Sequence, residues 1–204
     1  MAPTAEAEPD RGEGTARPPG AEVKTLTFVT LRAFLPEYLG AEAYAALRRG
    51  LPRDALRRLD EAESGGWAPE AELQSILYAV HAEALRGNDE AFVEFARGLA
   101  AVGISRFMRI FLSLASERFV LRKVPVVWDR LRRNAGTVRA EVEPGSVALH
   151  YERFPFFGTP VGRLVSLANC QALVLAATDR LPRGRIVAWT EDTLQLRFDL
   201  GVEA

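Results

Sequence analysis

Residues 137–154 read TVRAEVEPGSVALHYERF. Apolar and polar side chains alternate on both sides of Glu143-Pro144-Gly145-Ser146, which is the period of a strand and not of a helix. Two antiparallel strands joined by a tight turn are expected there. The change of period divides the chain into a helical half before this point and a mixed half after it.

Downstream, Thr159 and Pro160 form a good helix start, and VGRLVSLANCQALVLAATDRL (161–181) continues as a helix of about five turns. RIVAWT (185–190) and TLQLRFDL (193–200) return to strand patterning, with Glu191-Asp192 as their turn. Upstream, apolar residues recur at helical spacing from Leu26 to Leu39, and Gly40 ends that run. Shorter helices are expected up to Gly50 and over 52–62, then from Pro69 through Leu85, and from a cap at Asn88 or Asp89 to Gly103. ISRFMRIFLSLA (104–115) is apolar on nearly all sides and predicts the most buried helix. Ser116 caps a short helix to Leu121, and Pro125 opens another carrying Trp128 and Leu131. The fold class is therefore α+β: a helical N-terminal half followed by β-β-α-β-β with a four-stranded antiparallel sheet.

The 204 residues suit one domain of ordinary size, expected over 23–204. Residues 1–22 are rich in Pro, Gly, Ala and Glu, lack aromatics and read as a disordered tail. They have neither the apolar core of a secretory signal nor the arginine-rich character of a transit peptide. No apolar run approaches the ~18 residues that cross a bilayer, so no integral membrane association is expected. A single cysteine makes no intrachain disulfide, and the cytoplasm is the expected compartment. Arginine outnumbers lysine 24 to 2, a compositional bias that weakens arguments from arginine counts.

Few residues carry recognisable chemistry. His81 lies on a helix and His150 on a strand, neither with a partner in its pattern, so a boundary or solvated role is expected for both and no metal site. The sequence has no Gly-x-Ser-x-Gly elbow, Walker loop or Gly-x-Gly-x-x-Gly, and Cys170 reads as a buried, inert thiol. Gly158, Thr159, Gly162 and Arg163 could form an anion-binding helix start, or simply a helix start. No catalytic residue is assigned. Residues 118–139 hold Arg118, Arg122, Lys123, Arg130, Arg132, Arg133 and Arg139 against Asp129 alone, in a chain of net charge −1. Arg118, Arg122, Arg130, Arg132 and Arg133 are therefore candidates for docking to an acidic protein partner or a second copy. Nothing in the sequence resembles a nucleic-acid reading element.

Phe154, Phe156 and Phe157 surround Pro155 at the strand-to-helix join, too many for an exposed loop. They are expected to plug the gap between sheet and helices together with Phe107, Phe111 and Phe119. The alternative is that Phe107, Phe111, Tyr151, Phe154, Phe156 and Phe157 line a pocket for an apolar ligand.

This order of elements, over residues 23–200, resembles the superfamily of H-NOX haem domains, TRAPP subunits and vinyl-reductase-like ligand domains. More narrowly, WAPEAELQSILYAVH, FARGLAAVGISRFMRIFL and VPVVWDRLRRNAGTV resemble a family found in myxobacteria. The haem members of the superfamily carry a Tyr-x-Ser-x-Arg motif and an upstream proximal histidine. Here Tyr151 matches the tyrosine, whereas Arg153 and Pro155 stand in the other two positions. Between Ile104 and Val124 there is no histidine. These departures argue against haem, and no cofactor is expected.

The reading is a non-enzymatic sensory or interaction module that binds an apolar small molecule between helices and sheet, with a protein partner or a homodimer. The alternative is a scaffold or dimerisation protein with a filled core, as the TRAPP resemblance implies. An enzyme is the weakest reading.

Overall fold

In the helical half, α1 (Leu26–Leu39), α2 (Ala41–Gly50) and α3 (Arg53–Glu61) follow one another closely in a computed structural model that describes residues 20–104 and 115–200. The break between α1 and α2 falls at Gly40, whose φ of 80° suits a residue without a Cβ. α4 (Glu70–Ala79) runs on into a π-helical turn over Val80–Ala84. α5 (Asp89–Gly103) starts at Asn88, whose side chain accepts a hydrogen bond from the Ala91 amide at 3.0 Å. α6 (Glu117–Arg122) is capped in the same way by Ser116, and α7 (Val124–Leu131) follows with Pro125 in its first turn.

The sequence pattern does not announce a small sheet formed by β1 (Glu22–Lys24), β2 (Trp67–Pro69) and β3 (Arg132–Arg133), in the order β2-β1-β3. Strands of two or three residues are too short to show a period. Cation–π contacts clasp them, with Lys24 Nζ 4.0 Å and the Arg133 guanidinium 4.8 Å from the Trp67 ring centre.

The second half follows the pattern of residues 137–154. β4 (Thr137–Glu143) and β5 (Ser146–Glu152) form the hairpin, α8 (Pro160–Thr178) follows, and β6 (Arg183–Trp189) and β7 (Leu194–Asp199) form a second hairpin. The four strands make one antiparallel sheet in the order β4-β5-β7-β6. The hairpins thus meet through their inner strands, with Val147 opposite Phe198, Leu149 opposite Leu196 and Tyr151 opposite Leu194, all six buried. The architecture is α+β, as the alternation predicts.

The helix expected over 104–115 lies outside the described residues, apart from its two ends. Among the described helices α8 is heavily buried, with 11 of its 19 residues inside. Its Val161, Val165 and Ala168 join the core of the helical half, while Leu167, Cys170, Val174 and Ala177 join the core over the sheet. One helix therefore separates and serves two cores, which is why its sequence is apolar on more than one side. It is long and apolar enough to cross a membrane, but both cores cover its apolar surface. One expectation is corrected here. Phe119 is 51% exposed and plugs no gap, because α6 turns it outward beside Lys123.

Candidate functional site

A cavity of about 370 Å³ lies where α1, α4, α5, α7 and α8 converge on the end of β5. Its wall is mostly aliphatic: Leu73 and Leu77 from α4, Leu99 from α5, Val127 from α7, Val165 and Leu173 from α8. A few polar groups interrupt it, among them Thr27, Trp128, Arg132, Tyr151, Asn169 and Cys170. A mostly apolar chamber of this size with a few polar groups is the usual form of a small-molecule site. Its aliphatic walls come from five helices spread along the chain, and each wall residue reads in sequence as an ordinary core position. Only their convergence marks the site.

Tyr151 and Cys170 share the floor. Tyr151 Oη and Cys170 Sγ lie 3.4 Å apart, both buried, with either atom able to donate. Burial pushes the Cys170 thiol up to about 12, and its hydrogen bond to Tyr151 offsets only part of that. Burial also raises the Tyr151 hydroxyl well above its ordinary value, with the neighbouring sulfur adding to the effect. Both groups therefore keep their protons at neutral pH.

Arg132 enters the wall from β3. Its Nε and Nη2 donate to the two carboxylate oxygens of Glu70 at 3.1 and 3.3 Å, and Gln74 Nε2 donates to Glu70 Oε1 at 2.8 Å. Glu70 is fully buried and Arg132 nearly so, which makes this an internal, mutually neutralising pair. The same guanidinium stacks over Trp128 at 4.4 Å. Trp128 is held edge-on by Tyr151 and Phe154, with ring centres 5.3 and 5.1 Å away, and its buried Nε1–H finds no acceptor among the described residues. An unmet buried donor of this kind costs about 1–3 kcal/mol.

Of the aromatic residues singled out in the sequence, Tyr151 lines the cavity. Phe154, Phe156 and Phe157 pack beside it, with Phe154 5.2 Å from Phe156 and 5.0 Å from Phe157, and Phe157 5.6 Å from Tyr151. Phe154 and Phe157 are buried, and the loop is pinned from the β6–β7 turn: Phe154 N donates to Asp192 O and Gly158 N to Glu191 O. Phe107 and Phe111 lie outside the described residues.

The remaining candidates are dispersed. His81 Nε2 meets Asp89 at 2.8 Å with its ring edge-on to Phe92, while His150 faces Glu141 at 3.4 Å across the outer side of the sheet. No cluster of metal-ligating side chains occurs among the described residues. At the start of α8 the chain satisfies itself: Thr159 Oγ1 accepts from Gly162 N, and Arg163 Nη1 donates to the carbonyls of Phe157 and Gly158. Arg118, Arg122 and Arg130 are exposed on α6 and α7, Arg132 is turned inward to Glu70, and Arg133 pairs with Glu22.

No protein-family model matches the sequence, and no curated protein does either. The fold, by contrast, has clear relatives among solved structures. An Fe(II) unliganded H-NOX protein from K. algicida superposes with a TM-score of 0.63 at 11% identity, over 87% of this chain and 96% of that one. An H-NOX protein from S. oneidensis in the Fe(II)NO ligation state gives 0.57 at 18% identity, over 87% and 99%. An oxygen-binding H-NOX domain related to soluble guanylate cyclases gives 0.58 at 13% identity, over 87% and 94%. These likenesses establish the fold. They also correct the expectation of no cofactor, with haem argued against: the matched proteins include Fe(II) forms and a structure probing haem distortion in the H-NOX family. The changed anchors at Arg153 and Pro155 therefore do not rule haem out, because those residues test one mode of holding it and not the chamber. The chain has the fold of the H-NOX domains.

Proposed function

We propose that this chain is a non-enzymatic sensory module that holds an apolar small molecule, a tetrapyrrole such as haem included, in the cavity at the end of β5. The observation carrying this reading is the roughly 370 Å³ chamber with aliphatic walls and a few inward polar groups. Leu73, Leu77, Leu99 and Leu173 would supply apolar contacts to a tetrapyrrole. Cys170 and Tyr151 are the iron-donor side chains in the described wall, and thiolate and phenolate both occur as haem ligands. Bound haem would supply an iron able to take a further small ligand. Cys170 would have to release its proton to bind a metal, so uptake would rise with pH.

A sensor needs an outlet, and α7 offers one. It carries Trp128 in the cavity wall and an exposed Arg130, and the preceding α6 carries exposed Arg118 and Arg122. In this reading those arginines meet an acidic protein partner or a second copy in the cytoplasm, and occupancy of the cavity alters how they are presented. The packed rings of Trp128, Tyr151, Phe154 and Phe157 favour a second reading, a scaffold that works without a ligand.

The test compares native and denatured mass spectra of freshly purified protein, before and after incubation with haemin. A mass excess over a whole number of chains, lost in Ala100→Trp, which enlarges a residue of the cavity wall, supports the ligand reading. A native mass equal to a multiple of the chain mass, with no haemin uptake and no binding of apolar fluorescent probes, supports the scaffold instead.

A further inference from the structure

Trp128 Nε1–H is a buried donor with no acceptor among the described residues, on a ring that lines the cavity and is fixed by its neighbours. Tyr151 and Phe154 hold its edge and the Arg132 guanidinium covers its face at 4.4 Å, so it is not placed to turn toward another partner. Folded proteins rarely leave such a group unmet. The cavity is the space from which an acceptor could come. Arg132 is the one charged residue in the described wall, and Glu70 already balances it. A carboxylate placed against Trp128 would bring an unpaired charge among mostly apolar walls, whereas a neutral oxygen would not.

We infer that the part of the ligand lying against Trp128 carries an uncharged hydrogen-bond acceptor, a carbonyl oxygen or its equivalent, that takes the Nε1–H bond. The inference rests on the cavity being a ligand site and goes further by naming the group that the site recognises. Trp128 is then a specificity-determining residue: it separates ligands of equal size and apolarity by one oxygen atom.

The test uses three probes of similar shape, 2-ethylnaphthalene, 2-acetylnaphthalene and 2-naphthoate, titrated into the full chain and into Trp128→Phe. The ketone is expected to bind the parent protein about ten-fold more tightly than the hydrocarbon, the value of one well-made hydrogen bond. The carboxylate is expected to bind no better than the ketone. In Trp128→Phe the preference for the ketone over the hydrocarbon should disappear. Because that variant changes a packed ring, the parent chain supplies an independent readout: the indole N–H resonance of Trp128 should move downfield with the ketone and not with the hydrocarbon. Equal affinities for ketone and hydrocarbon, or a preference that survives in Trp128→Phe, would overturn the inference while leaving the cavity a ligand site. Tighter binding of 2-naphthoate would assign recognition to Arg132 and overturn it as well. Failure of all three probes to bind while haemin is taken up would overturn the inference and leave the ligand reading, and failure of haemin as well would remove that reading.

Discussion

Tyr151 Oη on β5 and Cys170 Sγ on α8 meet at 3.4 Å, and they tie the sheet to the helix that both cores share. The contact joins two weakly polar groups that burial keeps protonated.

The first consequence concerns alkali. An unfolded cysteine ionises near pH 9, whereas buried Cys170 holds its proton to about 12. Between these values the unfolded state binds fewer protons than the native state, so stability falls as pH rises; below about 9 the contribution is fully present. The slope is at most about 1.4 kcal/mol per pH unit for this thiol, and Tyr151 adds a decline in the same direction from about pH 10 upward. Urea midpoints at pH 7 to 11 should show the decline, and Cys170→Ala should flatten its first part. A thiol reagent at pH 8 should modify the native chain only as fast as the chain opens, since the thiolate is the reactive form.

Phe157 and Phe119 come from the same expectation and end in opposite places, one buried in the aromatic cluster and the other 51% exposed. Phe157→Ala should cost about 3–5 kcal/mol and Phe119→Ala less than about 0.5 kcal/mol, read from denaturant unfolding. Similar losses would mean that the cluster is not part of the folding core.

The buried Glu70–Arg132 pair links α4 to β3 across 62 residues of sequence. Glu70→Ala should destabilise by about 3–5 kcal/mol, because it leaves Arg132 buried and unpaired. The double replacement Glu70→Leu with Arg132→Met should recover most of that loss, since neither charge then needs a partner. A double replacement as damaging as the sum of the singles would mean that the two side chains act independently.

Gly162 sits in the first turn of α8 with the Phe156 carbonyl pressed against it: a Cβ there would lie 2.2 Å from that oxygen. Helix propensity alone favours Gly162→Ala by about 1 kcal/mol. The contact predicts the opposite sign, a net loss of about 1–3 kcal/mol as the aromatic loop is pushed away. A stabilised variant would show that the loop yields easily.

Ala100→Trp should leave stability within about 1 kcal/mol while abolishing uptake of apolar probes, because its side chain enters existing space. Thermal unfolding and probe titration on the same sample separate the two effects.

The sequence by itself determined the order of the longer described helices and strands. The alternation around Glu143-Pro144-Gly145-Ser146, the caps at Asn88, Ser116 and Thr159, and the break at Gly40 are local signals, and local chemistry is what one chain displays directly. It determined too that Phe154 and Phe157 belong inside. Only the tertiary structure decided that the hairpins join through β5 and β7, that Glu22–Lys24, Trp67–Pro69 and Arg132–Arg133 form a second sheet, and that α8 divides two cores. Pairing between distant short segments leaves no period to read. Arg132 shows the same limit: in sequence it is one of a run of surface arginines, and in the fold Glu70, 62 residues away, draws it into the cavity wall. The chamber itself is space enclosed by ordinary core residues from separate helices, so it exists only once those helices have packed.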